Sequence, residues 1–209
     1  MDPGSQFRNA GPVLVMLYAF TTAILTIVIF LGIEHGIELD HFTQDPSTIM
    51  NAPFYLGFFS YIGILFWAGT ATLCFFSRSL LGDSENNESV RKFLLASGLL
   101  TLLMMSDDLF LLHEDVFPNY FGIQEGIVYI IYMNAIIYYI YAFRNQLLNS
   151  EYLVLGTAFG LIGISQFVDM LPMPIPEDSF LEDAIKLFGV MSWFIYYTRY
   201  CANAVRTMR

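Results

Sequence analysis

Asp107 and Asp108 close one apolar run, with His113 and Glu114 just beyond it. Asp169 closes a second run, and Asp183 and Lys186 open a third. Charged side chains are costly in a hydrocarbon layer, so those found there pair with one another, face a bundle interior and mark functional sites. Imidazole beside carboxylate suits a divalent Zn, Fe or Mn ion, and carboxylates alone suit Ca. Asp107, Asp108, His113, Glu114, Asp169 and Asp183 are therefore the candidate metal ligands. Asp107 and Asp108 are also candidate bases, and Lys186 is the group that would stabilise developing negative charge or hold a carboxylate ionised. No compact motif such as HExxH frames these residues.

The elements that must position them are membrane spans. Of the residues, 56% are hydrophobic and 13% charged, with a mean hydropathy of +0.56. Soluble domains carry about a quarter charged residues. Apolar runs of about 18 residues or more read as spanning helices. The reading is an all-α polytopic bundle of about six spans, at 11–33, 52–76, 93–114, 125–143, 152–171 and 180–200, in a single membrane domain over 1–209. Arg8, Arg78, Arg91, Lys92, Arg144, Arg199, Arg206 and Arg209 flank the runs. Alternating passes put all of them on one side, and Lys and Arg in short loops mark the cytoplasm. Both termini are then cytoplasmic, in a bacterial-type inner or plasma membrane. The loops at 34–50, 115–124 and 172–179 lie outside, with the acidic and histidine residues.

Depth brings the charges together. At 1.5 Å per residue, Asp107 lies roughly 22 Å above Lys92, Asp169 roughly 25 Å above Tyr152, and Lys186 roughly 20 Å above Arg199. They share one layer near the outer side of a core about 30 Å thick. At about 100° per residue, Asp107 and Glu114 would share a face of an unbroken helix, as would Asp108 and Asp115. Lys186 alone does not balance the carboxylates at that depth, so a metal ion or a proton is expected there. Towards the cytoplasm the spans offer hydroxyls, tryptophan and Asn134, with no ionisable Asp, Glu, Lys or His. A polar layer open to one side fits an enzyme pocket or binding site better than a continuous path for a charged solute.

The net charge of −10 excludes nucleic acid as a partner, which needs a basic footprint, and favours cations. The lipid bilayer is the expected partner, with a lipid or cation ligand, and the oligomeric state stays open. Cys74 and Cys201 read as buried free thiols in a reducing compartment. Gly156, Gly160 and Gly163 would let a neighbouring helix approach the fifth span closely.

Ser165-x-x-x-Asp169 and the pair Ser106 and His113 resemble scattered residues of the alkaline ceramidase and progestin-receptor superfamily of membrane hydrolases. That family sets Ser, Asp and His around a zinc near one membrane surface. Its late His-x-x-x-His pair has no counterpart here, and six spans replace seven. The leading expectation is a metal-dependent membrane hydrolase acting on a lipid-like substrate at the outer face. A cation channel or transporter using the same carboxylates is the alternative, and a structural or assembly subunit the third.

Overall fold

A computed structural model describes residues 3–169 and 178–207. The described residues are helical, with no strand among them. Four helices are long and apolar enough to cross a membrane: Ala10–His35, Phe58–Leu80, Asn87–Phe110 and Glu125–Ala142. The helix over Tyr152–Val168 is apolar but shorter.

The chain forms two units, Met1–Leu56 and Gly57–Arg209. The first holds α1 (Pro3–His35) and two single-turn helices, α2 (Asp40–Thr43) and α3 (Pro46–Ile49). α1 is apolar around its whole circumference from Val13 to Ile33, as a lipid-immersed helix must be. Gly36, at φ +63°, ends it. The acidic stretch expected as an open loop is therefore partly helical, with Pro46 at the first position of α3, where its missing N–H costs nothing.

The second unit holds α4 (Phe58–Leu80), α5 (Glu85–Phe110), a π-helical segment (Leu112–Tyr120), α6 (Glu125–Ala142), α7 (Arg144–Leu148), α8 (Tyr152–Asp169) and α9 (Asp178–Arg206). α4 packs on α5 and α9, and α9 also packs on α8. Aromatic side chains fill the centre. Trp67 of α4 meets Trp193 of α9 edge-to-face at 5.5 Å, and Phe159 of α8 meets the same indole at 5.0 Å. Polar groups inside this core are satisfied in a chain. Ser97 Oγ lies 2.8 Å from Tyr139 OH, which lies 2.7 Å from Tyr197 OH, and Trp193 Nε1–H donates to Thr101 Oγ1 at 3.1 Å. These bonds tie α5, α6 and α9 together where no water reaches.

The basic ends of the helices meet. Gln146 of α7 hydrogen-bonds Ser89 of α5, and Arg199 of α9 grips Glu151 with two guanidinium nitrogens. Arg144 sits over the Tyr141 ring at 5.4 Å. Cys74 and Cys201 are buried free thiols.

Three further expectations change. The second apolar run becomes helical only at Phe58, because Gly57 at φ +70° breaks the chain before it. The third helix does not reach Glu114. It stops at Phe110, Leu111 turns left-handed at φ +50°, and the chain resumes as a π-helical turn running through Pro118. The close glycine contact belongs to α9. A Cβ on Gly189 would lie 2.8 Å from Ile162 Cγ1 and 3.0 Å from the Ile162 backbone nitrogen, while Gly156, Gly160 and Gly163 have open space on that side. The proline turn at 172–176 lies outside the described residues.

Candidate functional site: two ion pairs beside a cavity

The break at Leu111 builds the site. A non-glycine residue in the left-handed region costs about 1–2 kcal/mol. The turn is held by Asp107, whose Oδ1 accepts the backbone N–H of His113 at 3.1 Å. The same folding-back lays the imidazole on the carboxylate. His113 Nδ1 lies 2.6 Å from Asp107 Oδ2, and Tyr132 of α6 donates its hydroxyl to Asp107 Oδ1 at 2.8 Å. Asp107, itself buried, thus meets two groups of His113 and one of Tyr132. His113 is buried against the Tyr129 ring, with centroids 5.0 Å apart.

Because Nδ1 is committed to Asp107, Nε2 is the nitrogen left for chemistry. It lies 3.5 Å from Glu114 Oε1. Burial works against the imidazolium, but the bond and charge of Asp107, aided by Glu114, outweigh it and raise the His113 pKa above its ordinary 6.5.

Asp108, the next residue, faces another way. Its Oδ1 lies 2.8 Å from Lys186 Nζ of α9, and its Oδ2 accepts the Trp67 indole N–H of α4 at 2.8 Å. Trp67 is 2% exposed, so its N–H needs an acceptor and finds one in this carboxylate. One residue thus joins α4, α5 and α9.

A cavity of about 230 Å³ opens beside this pair. Asp108, Glu114, Glu182, Asp183 and Lys186 supply its polar wall, and Phe59, Leu111 and Val190 part of its apolar one. Four carboxylates thus share the cavity with one ammonium.

The structure brings Asp107, His113 and Glu114 together, and separately Asp108 and Lys186, with Asp183 on the same cavity. The side chain of Asp169, the last residue of α8, lies outside the described residues. Among the described residues no three His, Cys, Asp or Glu side chains form a group able to hold a metal ion. His113 Nε2 and Glu114 Oε1 lie 3.5 Å apart, and Asp107 holds Nδ1. Glu34 and His35, at the start of the acidic stretch, belong to the first unit.

Trp67, Tyr132 and Tyr129 escaped the sequence reading. A weak signal for Trp67 was there: it is one of two tryptophans, and a buried indole must find an acceptor. Tyr132 had no signal that set it apart from the other tyrosines of α6.

Residues 17–200 match the model of a family described as a domain of unknown function (DUF8692). No curated protein and no solved structure matches the chain.

Proposed function

The chain belongs to the DUF8692 family, and we propose that it is a membrane hydrolase whose pocket takes a lipid-like substrate. The observation that carries this reading is the buried Asp107–His113 pair at 2.6 Å, with Nε2 turned towards Glu114 at the cavity wall. A carboxylate on Nδ1 fixes the tautomer that leaves Nε2 basic, and stabilises the imidazolium once a proton is taken. His113 would remove a proton from a water in the cavity. Lys186, held by Asp108, would face the negative charge that develops on an attacked carbonyl or phosphoryl oxygen. Phe59, Leu111 and Val190 give the otherwise charged cavity an apolar side against which an acyl chain would lie.

A divalent cation belongs to the same proposal. Glu114, with Asp183 or Asp169, would bind it and leave His113 Nε2 free as the base, and it would supply Lewis-acid polarisation of the substrate. The finer topology is also proposed: six spans, both termini cytoplasmic, the site towards the outside of a cell inner or plasma membrane. The 29 residues of α9, about 43 Å at 1.5 Å each, suffice to cross a bilayer despite their charges. The gathering of Arg78, Arg91, Lys92, Arg144 and Arg199 at the opposite end from Lys186 supports the orientation.

The excess of carboxylates over ammonium in the cavity favours a second reading, a cation-binding step in transport. The two readings separate on the purified protein. Hydrolysis of a panel of fluorogenic acyl esters and phosphodiesters in detergent, lost in His113→Gln, supports the hydrolase. No turnover on any of them, together with cation flux into liposomes that Glu114→Gln reduces, replaces it with the transporter.

A further inference from the structure

Arg78 lies in the last turn of α4, and Arg91 and Lys92 lie in the second turn of α5. The turn from Leu81 to Ser84 folds the two helices back so that these side chains line one cavity, with Glu88 and Leu95 completing it. Its volume is about 220 Å³. Lys92 pairs with Glu88 one helical turn away, and Arg91 pairs with Asp83 in the turn. Arg78 forms no ion pair with a described residue. Three cations against two carboxylates leave one net positive charge, in a chain whose total is −10.

A second observation is independent of the charge. The Nε atoms of both Arg78 and Arg91 are buried, and neither has an acceptor among the described residues. A donor removed from water without an acceptor costs about 1–3 kcal/mol, and more on a charged group. Both side chains line the one cavity, and an acceptor from outside the chain that displaced the packing over these nitrogens would satisfy them. The guanidinium fork matches the oxygens of a phosphate, which takes Nε–H and Nη–H together. Leu95 lies one turn beyond Arg91 on the same face of α5, so the lining turns from charged to apolar towards the span. An ion with no apolar part would leave that side unused.

We propose that this cavity binds a phosphate group, with the headgroup of an anionic phospholipid as its source. The overall negative charge of the chain gives no general attraction to an anionic surface, so the binding is local to these arginines. Basic pockets between spanning helices take such headgroups. The site lies at the opposite end of α5 from Asp107 and Asp108, so it stands or falls independently of the hydrolase reading.

The test is the thermal midpoint of the detergent-purified full chain with added phosphatidylglycerol, with phosphatidylcholine of the same acyl chains, and with inorganic phosphate against matched chloride. Phosphatidylglycerol should raise the wild-type midpoint by several degrees through mass action on the folded state, and phosphatidylcholine should not. Arg78→Gln with Arg91→Gln should abolish the rise, while Arg144→Gln and Arg206→Gln should keep it. An equal rise with inorganic phosphate keeps the phosphate site and makes its source soluble. Should the double variant fail to fold, Arg78→Lys, which keeps the charge and loses the Nε–H, should at least halve the rise. The proposal is overturned by no rise with any phosphate compound, by an equal rise with phosphatidylcholine, or by an undiminished rise in the double variant or in Arg78→Lys.

Discussion

Lys186 Nζ lies 2.8 Å from Asp108 Oδ1, and the pair couples the site end of α9 to the end of α5. Its side chains are 24% and 15% exposed, so water reaches the pair only in part. Asp108 is held on its other oxygen by Trp67, and the adjacent Asp107 is committed to His113. Two neighbouring carboxylates thus serve two different partners, one an amine and one an imidazole.

Removing the cation alone strands Asp108. Lys186→Met is expected to cost about 3 kcal/mol, the lower end for breaking a buried pair, since some solvent remains. Lys186→Met with Asp108→Asn should recover most of that loss, because the asparagine carbonyl still accepts the Trp67 N–H and no charge is left unpaired. Thermal unfolding of the three variants in one detergent measures this. A double variant as unstable as the sum of its singles would show that the pair is not coupled as the geometry requires.

His113 sets a pH dependence with a definite sign. Its pKa is raised in the folded protein above the ordinary 6.5, chiefly because Asp107 and Glu114 overcome the effect of burial. The folded state therefore holds this proton more tightly than the unfolded chain does. The stabilisation is fully present below about 6.5 and is lost as pH rises through the folded value. The midpoint of unfolding should fall between about pH 6.5 and the alkaline end of that window. His113→Gln should flatten this part of the profile. A wild-type midpoint that climbs across the window contradicts the assignment. If His113 is the base, turnover should gain its basic limb over the same interval.

Counting helical rise placed Asp107, Asp108 and Lys186 in one layer, because rise depends only on residue number within a helix. Helical angle failed beyond Phe110, because it assumed an unbroken helix to Glu114. Phe110-Leu111-Leu112 carries no glycine, proline or polar break signal, yet Leu111 turns left-handed. The turn is accompanied by a hydrogen bond from the His113 N–H to the Asp107 side chain six residues back, which hydrophobic periodicity does not announce. The same bond divides the carboxylates into two pairs where the sequence suggested one shared cluster. The glycine spacing on α8 was misread for a related reason. Small residues permit close approach, but Gly189 on α9 is where the partner helix comes in.

That glycine contact makes a direct test. A Cβ at Gly189 meets Ile162 at both side chain and backbone, and a backbone atom cannot rotate away. Gly189→Ala is expected to destabilise by about 1–3 kcal/mol as α8 is pushed from α9. Gly156→Ala meets nothing within 4 Å and should be neutral, or stabilising by up to about 1 kcal/mol from helix propensity. Unfolding midpoints of the two variants, compared side by side, give the answer. Equal effects would put the close approach of α8 and α9 elsewhere.

Topology is the prediction on which the location of the site depends. Gln146 binds Ser89 and Arg199 grips Glu151, so the loops at Leu81–Ser84 and Asn149–Glu151 lie at one end of the second unit. That end carries Arg78, Arg91, Lys92, Arg144 and Arg199, and the opposite end carries His113, Glu114, Asp183 and Lys186. Lys and Arg in short loops resist translocation, so the first end should face the cytoplasm. A cysteine placed at Ser84, in a chain with Cys74→Ala and Cys201→Ala, should react with a membrane-impermeant maleimide only after the cells are opened. A cysteine placed at Asn119, beyond the π-helical turn, should react in intact cells. The reverse pattern would turn the pocket towards the cytoplasm, and its substrate would then have to come from the inner leaflet. Labelling of both positions from outside would mean that the loop at Ser84 and the turn at Asn119 share one side, and α5 would not cross the bilayer at all.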